Sequence, residues 1–231
     1  MPLIVLWDID HTLIENAGVS KEIYAAAFTT LTGRAPVSPA PTEGRTDRAI
    51  LPEMFHEHGL PAPEWNRAKE ALEAAGRGRE PDLRRRGHVL PGVRNALKAL
   101  AAETDICSSV LTGNIRANAH VKLGAFGLDD LLDMNVGGYG GDAQDRAHLV
   151  DAARNRIHAA RGFPISTPTV LIGDTPRDVQ AAHASRAHCV AVASGIHSAD
   201  DLRLAGADVV LPDLTDTDGL LEHLRALAAS A

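Results

Sequence analysis

Two carboxylates two positions apart, Asp8 and Asp10, end an apolar run at Leu3–Trp7, with Thr12 two positions further on. On extended backbone both side chains point the same way, and at an effective dielectric near 20 their repulsion at ~5 Å is roughly 3 kcal/mol. Something should compensate it. A pair of this kind can divide covalent chemistry, with Asp8 attacking as a carboxylate nucleophile and Asp10 giving and taking a proton. Taken alone, the pair fits a solvated strand end or a turn equally well.

Three further groups of polar residues stand after apolar runs: Thr112-Gly113-Asn114, Arg146 behind a glycine-rich loop, and Gly173-Asp174-Thr175-Pro176-Arg177-Asp178. Thr112 offers a hydroxyl, Gly113 lets backbone approach closely, and the amides opening a following helix can point at an anion. Arg146 adds a fixed fork suited to phosphate oxygens. Asp174 brings a third acid toward Asp8 and Asp10, with Asp178 four residues on. An acid cluster beside an anion site calls for a cation, and oxygen-only ligands favour Mg²⁺ over zinc. The chemistry this set suits is phosphoryl transfer through an aspartyl phosphate on Asp8, with Mg²⁺, Thr112 and Arg146 neutralising the transferring group.

The elements that must position these residues alternate in a readable way. Strands are expected at 3–7, 105–111, 133–136, 169–172, 189–193 and 208–211, and helices at 116–123, 146–161, 176–184, 199–204 and 218–229. Such alternation predicts a parallel sheet, whose carboxyl ends share one edge, so Asp8, Asp10, Thr112 and Asp174 converge there. Between 16 and 86 the pattern is helical only, with Ser20 as a candidate N-cap, Gly33 as a helix stop, a break rich in proline at 37–47, and helices at 46–58 and 63–86. The expected organisation is an α/β core at 1–15 and 87–231 with an all-helical cap inserted at 16–86.

The motifs DIDHT at 8–12, TGN at 112–114 and GDTPRD at 173–178 resemble those of the haloacid dehalogenase superfamily, and the likeness spans nearly the whole chain. The resemblance implies a Rossmann-like three-layer core with a helical cap of the first type. It also implies Mg²⁺ held by Asp8, the backbone carbonyl of Asp10, and Asp174, with Asp178 as a supporting acid. Asp10 is the acid that the superfamily's phosphatases and phosphomutases carry and its dehalogenases lack. Phosphoglycolate-phosphatase-like members are the nearest likeness. Where the family usually has Lys-Pro ahead of its last motif, this chain has Asp145-Arg146-Ala147. Arg146 keeps the charge and takes that role by resemblance. Its competitor, Lys122, lies ten residues beyond Thr112, roughly 15 Å along a helix, and is expected to point elsewhere.

Composition narrows the partners. With 231 residues and 45% hydrophobic content the chain can bury a sizeable core. A net charge of -7 and 3% aromatics argue against nucleic acid and anionic membrane as partners. No signal peptide or membrane span is read, and Cys107 and Cys189 form neither a disulfide framework nor a zinc motif, so a cytoplasmic location is expected. Blander readings stand beside the sharp ones. His56-Glu57-His58 reads as solvated, and the GGYGGD loop at 137–142 as a flexible connection, because it lacks the Lys and Ser or Thr of a phosphate-binding loop. His11 could touch substrate or fill space, and Gly44-Arg45-Thr46-Asp47 could contact substrate or cap a helix. The function expected is a Mg²⁺-dependent phosphatase for a small phosphate ester. The alternatives are a phosphomutase of the β-phosphoglucomutase type and a catalytically idle binding protein on the same scaffold.

Overall fold

The computed structural model describes residues 2–230. Its organising strand is β1 (Leu3–Trp7), buried at every residue. The chain then pairs β2 (Ile14–Glu15) with β3 (His88–Val89) in a short antiparallel ladder, so the segment between them leaves and re-enters at one place. That segment holds α1 (Val19–Thr32), α2 (Asp47–Glu57) and α3 (Trp65–Arg86). After β3 come α4 (Val93–Ala102), β4 (Ile106–Thr112), α5 (Arg116–Gly124), β5 (Gly138–Tyr139) and α6 (Ala147–Arg161). The chain continues through β6 (Thr169–Gly173), α7 (Pro176–Ala184), β7 (His188–Val192), α8 (Ala199–Leu204), β8 (Val209–Leu211) and α9 (Thr217–Ser230).

Six strands form one parallel sheet in the order β5-β4-β1-β6-β7-β8. Alternate residues of each strand feed opposite layers, as the two-residue period of a strand requires. Leu3, Val5 and Trp7 join Val110, Ile172 and the inner faces of α4 and α9, while Ile4 and Leu6 join Leu111, Leu171 and the faces of α6, α7 and α8. Trp7, wholly buried, also donates from Nε1 to Ser108 Oγ at 3.0 Å. Its truncation to alanine would cost about 3–5 kcal/mol. Cys107 and Cys189 lie buried as free thiols, and burial pushes Cys107 up to about 11.

The strands expected at 105–111, 169–172, 189–193 and 208–211 occur within a residue or so. The one expected at 133–136 does not. A 3-10 turn at Asp129–Leu131 precedes that stretch, and β5 forms instead at Gly138 and Tyr139, inside the loop read as flexible. Backbone proximity decides here, since a Cβ at Gly138 would stand 2.3 Å from the Leu149 carbonyl oxygen. Residues 136–140 are all buried.

The three helices between β2 and β3 gather Phe28, Leu51, Met54, Phe55 and Leu72 into a third apolar cluster, which also takes Ile115 from the start of the α5 segment. Gly18, not Ser20, caps α1, and Gly33 closes it in the left-handed conformation that favours glycine. His58 is not merely solvated. Its Nδ1 donates to the Met54 carbonyl at 2.6 Å, its Nε2 accepts from Val37 N at 2.9 Å, and its ring packs on Phe28. No helix among the described residues is long and apolar enough to cross a membrane.

Candidate active site

The carboxyl ends of β1, β4 and β6 meet below the helical insertion around a partly open cavity. Asp8, Asp10, Thr112, Gly113, Asn114, Arg146 and Asp174 line it from the sheet side. Ser20, Tyr24 and the Thr42–Arg45 loop line it from the other. Lys122 lines it too.

Asp8 sits directly after β1, its N–H donating to the Ile172 carbonyl at 2.8 Å. Its Oδ1 is 3.0 Å from Arg146 Nη2, which lies 2.6 Å from Asp178 Oδ1. Asp178 is fixed by a capping box at the start of α7, its Oδ2 accepting from Thr175 N at 3.0 Å and Thr175 Oγ1 at 2.7 Å. Asp174 accepts from Thr12 Oγ1 at 3.3 Å. A Cβ at Gly195 would stand 1.9 Å from Asp174 Oδ2, so glycine is needed there to leave the carboxylate its place. Burial pushes Asp8 upward, helped by Asp178 and Asp10, with Arg146 opposing. Asp174 is raised well above its ordinary value by burial and then by Asp178 and Asp8.

Asp10 belongs to a different network. Its Oδ2 accepts from Lys122 Nζ at 2.5 Å and Asn114 Nδ2 at 2.9 Å, and its Oδ1 from Asn16 Nδ2 at 2.9 Å and Ser20 Oγ at 3.2 Å. Lys122 Nζ also reaches Ser20 Oγ at 2.7 Å and Asn114 Oδ1 at 2.8 Å. Asn114 Nδ2 donates as well to Thr112 Oγ1 at 2.7 Å. Burial would raise Asp10, but the charge of Lys122, the bonds from Asn114 and Lys122, and the charge of His11 together lower it to about 2.

The placement of Lys122 corrects the expectation that it points away. Residues 113–115 are not helical, so Lys122 stands only six residues into α5, and side chains on a helix lean toward its N-terminus. The signal was present in the sequence, because Asn118, Ala119, Lys122 and Leu123 share one buried helix face. Ser20, Tyr24, Asn16 and Gly195 were not read as site residues at all. His11 lines the cavity with its Nδ1 2.8 Å from Glu15 Oε2, in the left-handed backbone region at φ 61°. In the segment 44–47, Gly44 and Arg45 line the cavity. Thr46 holds the N-cap position of α2, but its hydroxyl donates to the Gln144 carbonyl at 2.8 Å.

Asp8, Asp174 and Asp178 offer oxygens that all lie within 4.8 Å of one another. Three buried acids face one guanidinium there, and Asp178 Oδ1, although close to Arg146, makes no aligned hydrogen bond. The donors are all hard carboxylate oxygens. This set fits a divalent cation of the Mg²⁺ type.

The sequence matches the haloacid dehalogenase-like hydrolase family over residues 5–183, and the chain belongs to that family. No curated protein is similar enough in sequence to match. Among solved structures, a predicted phosphatase from Clostridium acetobutylicum superposes with a TM-score of 0.67 at 18% identity, covering 96% of this chain and 99% of that one. A hydrolase from Pseudomonas syringae gives 0.66 at 22% identity, over 99% and 100% of the two chains. A predicted phosphoglycolate phosphatase from Haemophilus somnus gives 0.65 at 18%, over 96% and 98%. These likenesses concern the fold.

Proposed function

We propose that the protein is a phosphatase that hydrolyses a small phosphate ester through an aspartyl phosphate on Asp8, with residues 16–86 acting as its cap. The observation that carries this reading is the division of labour in the cavity, where Asp8 and Asp10 stand on one loop but in separate charge environments. Asp8 attacks phosphorus, the bond from phosphorus to the ester oxygen breaks, and the departing alkoxide takes a proton held at Asp10. Water then attacks phosphorus and gives a proton to Asp10, and the Asp8 carboxylate is released with phosphate. Lys122 keeps Asp10 ionised, which suits it to accept the proton of water. The proton for the first step then enters with a monoanionic phosphate ester.

Asp8, Asp174 and the Asp10 carbonyl would hold Mg²⁺, which supplies positive charge against the phosphoryl oxygens. Asp174 is the better ligand than Asp178, because two Thr175 donors hold one Asp178 oxygen in the α7 capping box, whereas Asp174 accepts from Thr12 Oγ1 at the longer distance of 3.3 Å. Arg146 holds Asp8 in place and adds charge beside the transferring group. The cavity, lined both from the sheet edge and from the helical insertion, suits a small substrate. A panel of small phosphate esters, with and without Mg²⁺, tests the reading. Release of phosphate that requires Mg²⁺ supports it, and no turnover of any ester by a folded, Mg²⁺-loaded protein overturns it.

A further inference from the structure

Asp47 takes no part in the reaction just described, yet its carboxylate is buried in the seam between α2 and the sheet edge. One oxygen accepts from Tyr24 Oη of α1, and the other accepts from Ile115 N at 2.7 Å. The N–H of Asp47 donates to the Gly113 carbonyl at 2.8 Å, and the N–H of Arg48 to that of Gly140 at 3.3 Å. Amides opening α2, which a helix leaves without internal partners, are thus satisfied by carbonyls of the core. Burial pushes Asp47 up to about 6, against the pull of Tyr24, Ile115 and Lys122.

The residues Asp47 grips, Gly113 and Ile115, flank Asn114, whose side chain joins Thr112, Asp10 and Lys122. The fit is tight enough to exclude side chains. A Cβ at Gly113 would stand 1.8 Å from the Arg45 carbonyl oxygen, and one at Gly140 would stand 1.7 Å from that of Gly113. In the structure the Asp47 carboxylate, from the helical insertion, is the acceptor for Ile115 N, so lifting the insertion would take that acceptor away.

We propose that Asp47 is a positioning residue which fastens the Gly113–Ile115 backbone only when the cap is down, so that closure of the cap and alignment of Thr112 and Asn114 are one event. The role rests on the phosphatase reading for its consequence in catalysis. It makes the closed state the reactive one, and it places the sensor on the cap, 47 residues into the chain, rather than among the groups that touch phosphate.

The test compares Asp47→Ala, Asp47→Asn and Tyr24→Phe in the full chain by kcat, KM and acrylamide quenching of Trp65. Trp65 is half-buried in the same seam, its ring 4.7 Å from the Arg48 guanidinium, whereas Trp7 is wholly buried and silent to quencher. Asparagine can turn its carbonyl to Ile115 N–H and its amide to Tyr24 Oη. Asp47→Ala should lower kcat by about tenfold or more with a smaller change in KM, and should expose Trp65. Asp47→Asn should recover most of both, and Tyr24→Phe should fall between. Wild-type kcat and quenching in Asp47→Ala would overturn the role, as would a fall in stability with kcat unchanged. If Asp47→Ala does not fold, Tyr24→Phe carries the test, and unchanged kcat and quenching there overturn it. Should wild type turn over no ester, the phosphatase reading falls, and the quenching series still decides whether Asp47 fastens the cap.

Discussion

Asp8 and Asp10 sit two residues apart on one loop, yet each has its own buried cation and the two pairings behave in opposite ways. Around Asp8, three acids share Arg146, so the acids are pushed upward and the cluster is short of positive charge. Around Asp10, one acid meets Lys122, Asn114, Asn16 and Ser20, so it is held ionised and its hydrogen-bonding capacity is filled. The difference teaches that charge balance, rather than position on the strand, sets the two apart, since Asp8 shares its cation with Asp178 whereas Asp10 has Lys122 to itself. It also shows which half feels the cap, because Ser20 of α1 bonds both Asp10 and Lys122 while no cap residue bonds Asp8.

The harshest way to break this comparison is Asp8→Asn. It removes the nucleophile and keeps the shape, so kcat should fall by roughly three orders of magnitude or more with little change in Tm. Substantial activity in that folded variant would end the covalent reading. Next in size are the two cations. Arg146→Ala and Lys122→Ala should each lower kcat/KM by about a hundredfold, within about tenfold of one another, because each leaves a buried acid unpaired beside the reacting group. If only Arg146→Ala is damaged on the same substrate, the Asp10 network is scaffolding.

Asp174→Ala sharpens the contrast by thermal unfolding. Mg²⁺ should raise the Tm of wild type, and the variant should lose most of that gain, since binding to the native state stabilises by mass action. Equal shifts in the two proteins would remove Asp174 from the ligand set.

The smallest effect is the pH dependence of Asp47, which faces Tyr24 on α1, Lys122 on α5, Arg45 on its own loop and Asp10 below. Its native value of about 6 lies above the ordinary value of 3.8, so the folded protein binds the extra proton and gains stability as pH falls through about 6 toward about 4. Wild type should therefore gain a few degrees in Tm relative to Asp47→Asn between pH 7 and pH 5. A constant difference would show that Asp47 does not titrate in this window.

Much of the core was legible because β1 is an unbroken apolar run ending in acids, and because Thr175-Pro176-Arg177-Asp178 encodes its own capping box. Gly33 stopped α1 where the sequence said it would. The misses share a cause. Gly138 and Tyr139 have no strand pattern of their own and pair because β4 and α6 press on them. For Lys122, distance along the helix misleads, because the buried face it shares with Ala119 and Leu123 turns it to the cavity. Tyr24 looks like an ordinary helix residue, Ser20 like an N-cap, and Asp47 like part of a segment that caps a helix or touches substrate, and only the docking of the insertion gives the three their partners across the seam.

The sheet order β5-β4-β1-β6-β7-β8 has a consequence for how the chain is made. β1 emerges from the ribosome first, but its neighbours are β4, beginning at Ile106, and β6, beginning at Thr169. At roughly 5–20 residues per second, the most apolar strand of the protein waits on the order of 5–20 s for its first partner. The helices α1–α3 lie between and can pack on one another meanwhile, since Phe28, Leu51, Met54, Phe55 and Leu72 all come from that one contiguous stretch. Pulse-labelling hydrogen exchange during refolding should find amides of α1 and α3 protected before those of β1, and the reverse order would show that the distant strands meet first. A nascent chain stalled before Ile106 therefore exposes LIVLW with no strand to cover it, which makes these five residues the stretch most in need of a chaperone.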